Sequence, residues 1–234
     1  MPYEPRWYIE EAIDATFNYF DTHGGTNPDG SPVMANPLIA MPTGTGKSYF
    51  IAEFVRRAFA AFPQTRLIMA THIKELIEQN AKRMIDVWPH APIGIHSAGL
   101  KSRDVHQPII FGGIKSMVKH TSALGWRDLV VIDEAHLVSP NADTTYQEFL
   151  TALKLQNPYV KVIGLSATIY RMGLGHLTNG NIFTDIAYDI TDIAGFSRLL
   201  AEGYLCPVIP KKTATQLDIS NVGISSTGDF NEAA

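Results

Sequence analysis

Cysteine is nearly absent: Cys206 stands alone among 234 residues. One thiol excludes an internal disulfide and any zinc site built from several cysteines. The expectation for Cys206 is a small apolar residue buried in a core. Long apolar stretches are also missing. No run approaches the roughly 18 residues of a membrane-crossing helix, and no charged-then-apolar leader opens the chain, so the expected setting is cytoplasmic, with no membrane partner. An excess of positive charge is lacking too. The formal net charge of -4 excludes a strongly basic nucleic-acid coat, while a local cluster of Lys and Arg could still grip phosphates. No internal repeat or low-complexity block interrupts the chain. What remains is an ordinary apolar share of 45% in a length suited to one sizeable domain with a tail.

Apolar spacing organises most of the chain. Ile9, Ala12, Ile13, Phe17 and Phe20 recur at helical intervals. Gly, Pro and Asn then crowd Asp21 to Asn36 and predict a loop. From there strand-like and helix-like segments alternate. Short, continuously apolar runs at Leu38–Ala40, Leu67–Ala70, Ile93–Ile95, Ile109–Phe111, Leu129–Ile132 and Val160–Leu165 read as strands. Helical patterns occupy Lys47–Phe62, closed by Pro63, and Lys74–Val87, Ile114–His120 and Thr145–Leu155. Such alternation predicts an α/β fold with a parallel sheet and helices on both faces, since strands without polar alternation are buried on both sides. Periodicity weakens from Ile169 to Tyr188. A helix at Gly195–Ala201 and a strand around Pro207–Ile209 close a domain spanning 1–210, and polar residues 211–234 read as a linker, with an edge strand as the alternative.

Two strings carry chemistry. Met41-Pro42-Thr43-Gly44-Thr45-Gly46-Lys47-Ser48 lies between a predicted strand and a predicted helix. Gly44 and Gly46 would let the main chain of Thr43 to Ser48 turn its N–H groups toward a triphosphate, and the helix that follows adds its positive end. Lys47 would contact the β- and γ-phosphates and Ser48 would ligate Mg²⁺. The strict pattern asks for Gly where this chain has Met41. The second string, Asp133-Glu134-Ala135-His136, follows an apolar strand. Asp133 would hold Mg²⁺ and Glu134 would orient or deprotonate the attacking water. Alone, the pair would read equally as an acidic surface turn; beside a phosphate cradle it reads as the other half of an ATP·Mg²⁺ site.

Together these strings resemble the first RecA-like motor domain of superfamily 2 helicases and translocases, P-loop NTPases of DEAH type. Ser166-Ala167-Thr168 resembles their third motif, Ala70-Thr71-His72-Ile73-Lys74-Glu75-Leu76 their motif Ia, and Phe111-Gly112-Gly113-Ile114-Lys115-Ser116 the next nucleic-acid-contacting motif. Glu11–Thr16, Lys74–Leu76, Ala98–Lys101 and Gly203–Leu205 further resemble the bacterial RadD type of DNA-repair ATPase. The resemblance implies that His136, Ser166 and Thr168 couple nucleotide to movement. It also implies that Thr71, His72, Lys74, Gly113 and Lys115 face a nucleic-acid strand, DNA rather than RNA. From the residues alone, Lys74 and Lys115 read equally as solvated helix-face lysines.

Two departures qualify the resemblance. Many relatives place a Gln that reads adenine where Arg6-Trp7-Tyr8-Ile9 puts Ile9. An aliphatic chain cannot make that pair of hydrogen bonds, which leaves Arg6 or Tyr8 to stack on the base. The family also uses a second motor domain to supply arginines to the transferring phosphoryl group, and nothing after Thr168 resembles it. The expectation is a motor half that binds Mg²⁺–ATP weakly and hydrolyses it slowly. The motor of a restriction-modification complex and a non-hydrolysing nucleic-acid clamp are the alternatives.

Overall fold

The computed structural model describes residues 5–139, 144–171, 175–180 and 182–207. Its helices are α1 (Trp7–His23), α2 (Lys47–Ala61), α3 (Lys74–Val87), α4 (Ile114–Met117), α5 (Thr121–Leu124), α6 (Thr145–Lys154) and α7 (Ile193–Ala201). The strands are β1 (Pro37–Ala40), β2 (Leu67–Thr71), β3 (Ile93–Ser97), β4 (Ser102–Arg103), β5 (Ile109–Gly113), β6 (Leu129–Ile132), β7 (Lys161–Ser166), β8 (Tyr170–Arg171), β9 (Gly175–His176) and β10 (Asp185–Asp189).

Among the described residues, one sheet of eight strands, ordered β10-β1-β7-β6-β2-β5-β3-β4, carries the domain. Every pairing in it is parallel except β3 with β4. Residue parity divides the central strands between two cores, because successive side chains in a strand point to opposite faces. Ile39, Met69, Phe111, Val131 and Ile163 join a cluster with residues of α1, α2, α3 and α7. Leu38, Ile68, Ile110, Val130 and Val162 join the opposite cluster with α4, α5 and α6. Each fully buried aliphatic or aromatic side chain contributes on the order of 1.5–3 kcal/mol, so both faces select the same strand register. The expected α/β architecture, a parallel sheet with helices on both faces, is what the chain adopts.

Where the structure departs from expectation, the causes are local. Weak periodicity over Ile169–Tyr188 hides β10, an edge strand whose pairing with β1 shifts register where Leu38 of β1 gives way to Ile39. β10 is exposed at its ends and only half-buried within, so it carries no apolar run. Two-residue strands β4, β8 and β9 and the single turn α5 are too short for a period. Cys206 is exposed past α7 rather than buried, because the chain there has left the core. The strand expected around Pro207–Ile209 and the linker over 211–234 fall, but for Pro207, outside the described residues. No helix among the described residues is long and apolar enough to cross a membrane.

The end of the sheet opposite the cleft is closed by Arg127, whose guanidinium is fully buried. It donates to the carbonyls of Leu124, Val105, Gln107 and Pro108. Burial away from water pushes its pKa down to about 10.

Candidate functional site

Parallel strands deliver all of their following loops to one edge, where ligands of open α/β sheets gather. Strand order decides which loops meet there. β1, β7, β6 and β2 are consecutive neighbours. The turn after β1, the segment after β7 and the acidic loop after β6 are therefore side by side, although they are far apart in sequence.

The turn after β1 is a cradle. Gly44 at φ 86° and Gly46 at φ 96° occupy the left-handed region, which disfavours residues with a Cβ. Thr45 is buried and folds inward, its hydroxyl donating to Pro42 O at 2.7 Å. Met41, where the strict pattern has Gly, is 0% exposed and directs its side chain into the core. Its main chain is fixed by a bond from Met41 N to Ser166 O at 2.9 Å. α2 begins at Lys47 without a side-chain cap, so its first N–H groups face the cradle. Lys47 is only 9% exposed; its Nζ donates to Met41 O at 3.3 Å, and it makes no ion pair with the described residues. A buried ammonium held by one distant carbonyl favours an anion.

The loop after β6 presents the carboxylates. Asp133 is 4% exposed, with Oδ1 accepting from Glu134 N at 3.0 Å and Oδ2 from Asn80 Nδ2 at 3.0 Å. Glu134 is half-buried in a left-handed conformation, φ 53°, an uncommon backbone for a non-glycine residue and one concentrated at functional sites. His136 Nδ1 lies 3.3 Å from Glu134 Oε2 and 3.2 Å from Ser166 Oγ. Ser166 Oγ also accepts from Thr168 N at 3.3 Å, and Thr168 donates to Tyr170 O. A continuous polar chain thus runs from Glu134 through His136 and Ser166 to the Thr168 main chain. Arg171 joins it from β8, its Nε donating to His136 O at 3.3 Å.

These groups surround a cleft of about 500 Å³ lined by Arg6, Thr43, Gly44, Gly46, Lys47, Ser48, Asp133 and Glu134, with Tyr49, Leu76, Gln79 and Arg83 completing the wall. Sequence reasoning missed Gln79, Asn80 and Arg83. The signal for Asn80 was available: it interrupts the apolar stripe of Ile77, Ala81 and Met84 on α3. Chemically, the Ser48 hydroxyl and the Asp133 carboxylate are hard oxygen donors of the kind Mg²⁺ prefers. Beside an anion cradle, that donor set suits a magnesium-bound triphosphate.

The entry to the cleft corrects the expected base contacts. Ile9 is 0% exposed within the core. Tyr8 is equally buried; its hydroxyl donates to Thr45 O at 2.8 Å and accepts from Arg6 at 2.8 Å. It braces the cradle from behind and is closed to a base. Arg6 stays at the cleft, its guanidinium 5.0 Å from the Tyr204 ring centroid.

The expected nucleic-acid residues gather at the other half of the same edge. Thr71 and Gly113 are register partners across β2 and β5. Thr71 is 1% exposed, and its hydroxyl accepts from Ile73 N at 3.3 Å, so it stabilises the turn instead of facing outward. Lys74 and Lys115 are exposed. His72 packs edge-on against Tyr146 at 4.9 Å; this desolvation, with Lys115 nearby, holds its imidazole pKa below the usual value.

Comparison with known proteins agrees with this geometry. A family model described as "Type III restriction enzyme, res subunit" matches residues 2–171. The ATP-dependent DNA helicase fml1 of Schizosaccharomyces pombe is 26% identical over 150 residues, covering 58% of this chain and 17% of that protein. Among solved structures, the UvsW helicase from bacteriophage T4 superposes with a TM-score of 0.56 at 19% identity, over 79% of this chain and 60% of the other. The Type ISP restriction-modification enzyme LlaGI, solved with a DNA substrate mimic, gives 0.59 at 11% identity, over 86% and 21%. The structural likenesses show a shared fold. The chain spans under a fifth of the length of fml1.

Proposed function

The chain belongs to the helicase-related family of type III restriction enzyme res subunits, and on that footing we propose that residues 1–210 form the ATP-binding motor half of a DNA-directed helicase or translocase. The observation that carries this reading is the convergence of a buried Lys47 without an ion pair among the described residues, Ser48, Asp133 and Glu134 on one cleft, with Glu134 joined to Ser166 through His136. Magnesium, when bound, neutralises charge developing on the phosphates. The chain's own residues do the rest. Main-chain N–H groups from Thr43 to Ser48 and the Lys47 ammonium hold the β- and γ-phosphates. Ser48 and Asp133 hold the cation. The Glu134 carboxylate orients a water and takes its proton, the task for which a carboxylate at a cleft surface is suited.

His136 Nδ1 lies between Glu134 Oε2 and Ser166 Oγ, so a change at Glu134 can pass by polar contacts toward Thr168, which supports a coupling role. Lys74, Lys115 and the main chain at Gly113 contact the phosphates of one DNA strand, with His72 at the margin. Grip on phosphates gives little sequence preference. Burial of Ile9 leaves Arg6 as the base's neighbour and supports weaker discrimination of ATP from GTP than in relatives with Gln. The strings at Glu11–Thr16, Lys74–Leu76 and Gly203–Leu205 favour the RadD type of DEAH motor and hence DNA repair.

This reading calls for a second RecA-like domain to supply arginines, which are worth roughly 10³- to 10⁵-fold in related phosphoryl transfers. The family's description and the likeness to LlaGI favour one further reading, the motor of a restriction-modification complex. The presence of Glu134 speaks against a clamp that never hydrolyses. The test is ATP turnover with single-stranded DNA, duplex DNA or RNA, with Glu134→Gln as the blank. DNA-stimulated turnover absent from the blank supports a motor. Turnover unaffected by Glu134→Gln would remove the proposed chemistry.

A further inference from the structure

Two side chains serve the cleft that belong to neither chemical string. Asn80 lies on the buried stripe of α3 and is 1% exposed. An amide in such a stripe is costly unless it is paired. Its Nδ2 donates to Asp133 Oδ2 at 3.0 Å, while its Oδ1, also buried, has no partner among the described residues. Asp133 Oδ1 is meanwhile held by Glu134 N at 3.0 Å. The carboxylate is therefore clamped at both oxygens, from its own loop and from α3, which fixes the plane in which its remaining lone pairs point. One residue earlier on the same helix, Gln79 Nε2 donates to Ser48 Oγ at 3.2 Å. Successive amides of one helix thus hold both oxygen donors that face the cleft. Mg²⁺ characteristically keeps several of its waters, so an Asp133 carboxylate held in one plane suits a hydrated cation.

We propose that Asn80, assisted by Gln79, is a positioning residue that orients Asp133 for a hydrated divalent cation and ties that orientation to helix α3. This rests on the nucleotide-site reading above. It also gives α3 a task. The helix starts at Lys74, on the half of the edge assigned to DNA, and Asn80 follows within about 9 Å of helix axis. A shift of its first turn reaches Asp133 through a single hydrogen bond.

The test uses the full chain and a fluorescent ATP analogue, with binding measured against Mg²⁺ concentration and again in EDTA. Asn80→Leu keeps the branched shape and suits the apolar stripe; Gln79→Ala alters an exposed side chain. Loss of an outer-shell partner typically weakens metal affinity roughly 10- to 100-fold, so the half-saturating Mg²⁺ should rise by that factor in Asn80→Leu and by less in Gln79→Ala. Binding in EDTA should not change. A direct Mn²⁺ titration followed by electron paramagnetic resonance should show the same weakening without turnover. If Asn80→Leu melts without cooperativity, Asn80→Ser carries the same expectation. A folded variant whose half-saturating Mg²⁺ stays within twofold of wild type would overturn the inference and leave the nucleotide site standing. Wild-type chain that binds nucleotide with no response to Mg²⁺ would overturn both.

Discussion

The two halves of the sheet's ligand edge are built alike and finished differently. At the end of β1, β7 and β6, functional side chains are withdrawn and interlocked. Lys47, Asp133 and Ser166 are all buried, and hydrogen bonds link Asp133 to Asn80 and His136 to Ser166. At the end of β2 and β5, Thr71 turns inward while Lys74 and Lys115 stand in solvent. The contrast follows the physics of the proposed ligands. A small, highly charged nucleotide rewards fixed groups, since electrostatic preorganisation costs no reorganisation during reaction. A polymer that must slide rewards mobile charges acting through ion release. α3 belongs to both halves, with Lys74 at one and Asn80 at the other.

The largest expected effects test the buried half. Lys47→Ala should abolish binding of a fluorescent ATP analogue without lowering the melting temperature; a large fall in melting temperature would make Lys47 structural. Glu134→Gln should keep that binding while lowering turnover by roughly 10²- to 10⁴-fold, measured as phosphate release. Next comes the link between halves. His136→Ala should keep basal turnover and reduce its stimulation by DNA by roughly 5- to 150-fold, the usual range for coupling between sites. Equal loss of basal and stimulated rates would place His136 in the chemistry instead.

Smaller effects test the exposed half. Lys74→Ala and Lys115→Ala should each weaken single-stranded DNA binding uniformly across sequences and reduce the slope of log affinity against log salt by roughly 0.7 to 1. An unchanged slope would show both lysines to be bystanders. The smallest effect concerns the border of the nucleotide half, where Tyr19 donates to Asp185 at the start of β10. Hydrogen bonds from Tyr19 and then Thr184 hold the Asp185 carboxyl below the usual carboxylate range. A depressed folded pKa means that this contribution is present above the unfolded value near about 4 and is lost as pH falls through the folded one. Because Asp185 is exposed to screening solvent, Asp185→Asn should remove less than about 1 kcal/mol of that acid-dependent stability in urea melts.

Legibility varied with the length and burial of each element. α3 could be bounded at Lys74 and Val87 because its apolar stripe is long, and β6 at Leu129 and Ile132 because burial on both faces makes it apolar throughout. β10 could not be read, since an edge strand half in solvent needs no apolar run. The structure brings the strings around Lys47 and Asp133 to one cleft; they stand out in the sequence because the proposed ligands demand particular residues at short spacing. Tyr8, offered with Arg6 as a neighbour of the base, is buried instead, because a helix's rotation about its axis is set by what it packs against.

By itself, the sequence determined the alternation of strand and helix, the glycine turn ahead of Lys47 and the carboxylate pair after an apolar strand. Those properties are local, fixed by periodicity and by the backbone freedom of Gly44 and Gly46. Tertiary structure alone decided that β7 lies between β1 and β6, bringing Ser166 to His136 and α3's Asn80 to Asp133. Strand order is a non-local outcome of packing two helical layers on one sheet. No spacing between residues so distant in sequence encodes which loops will meet.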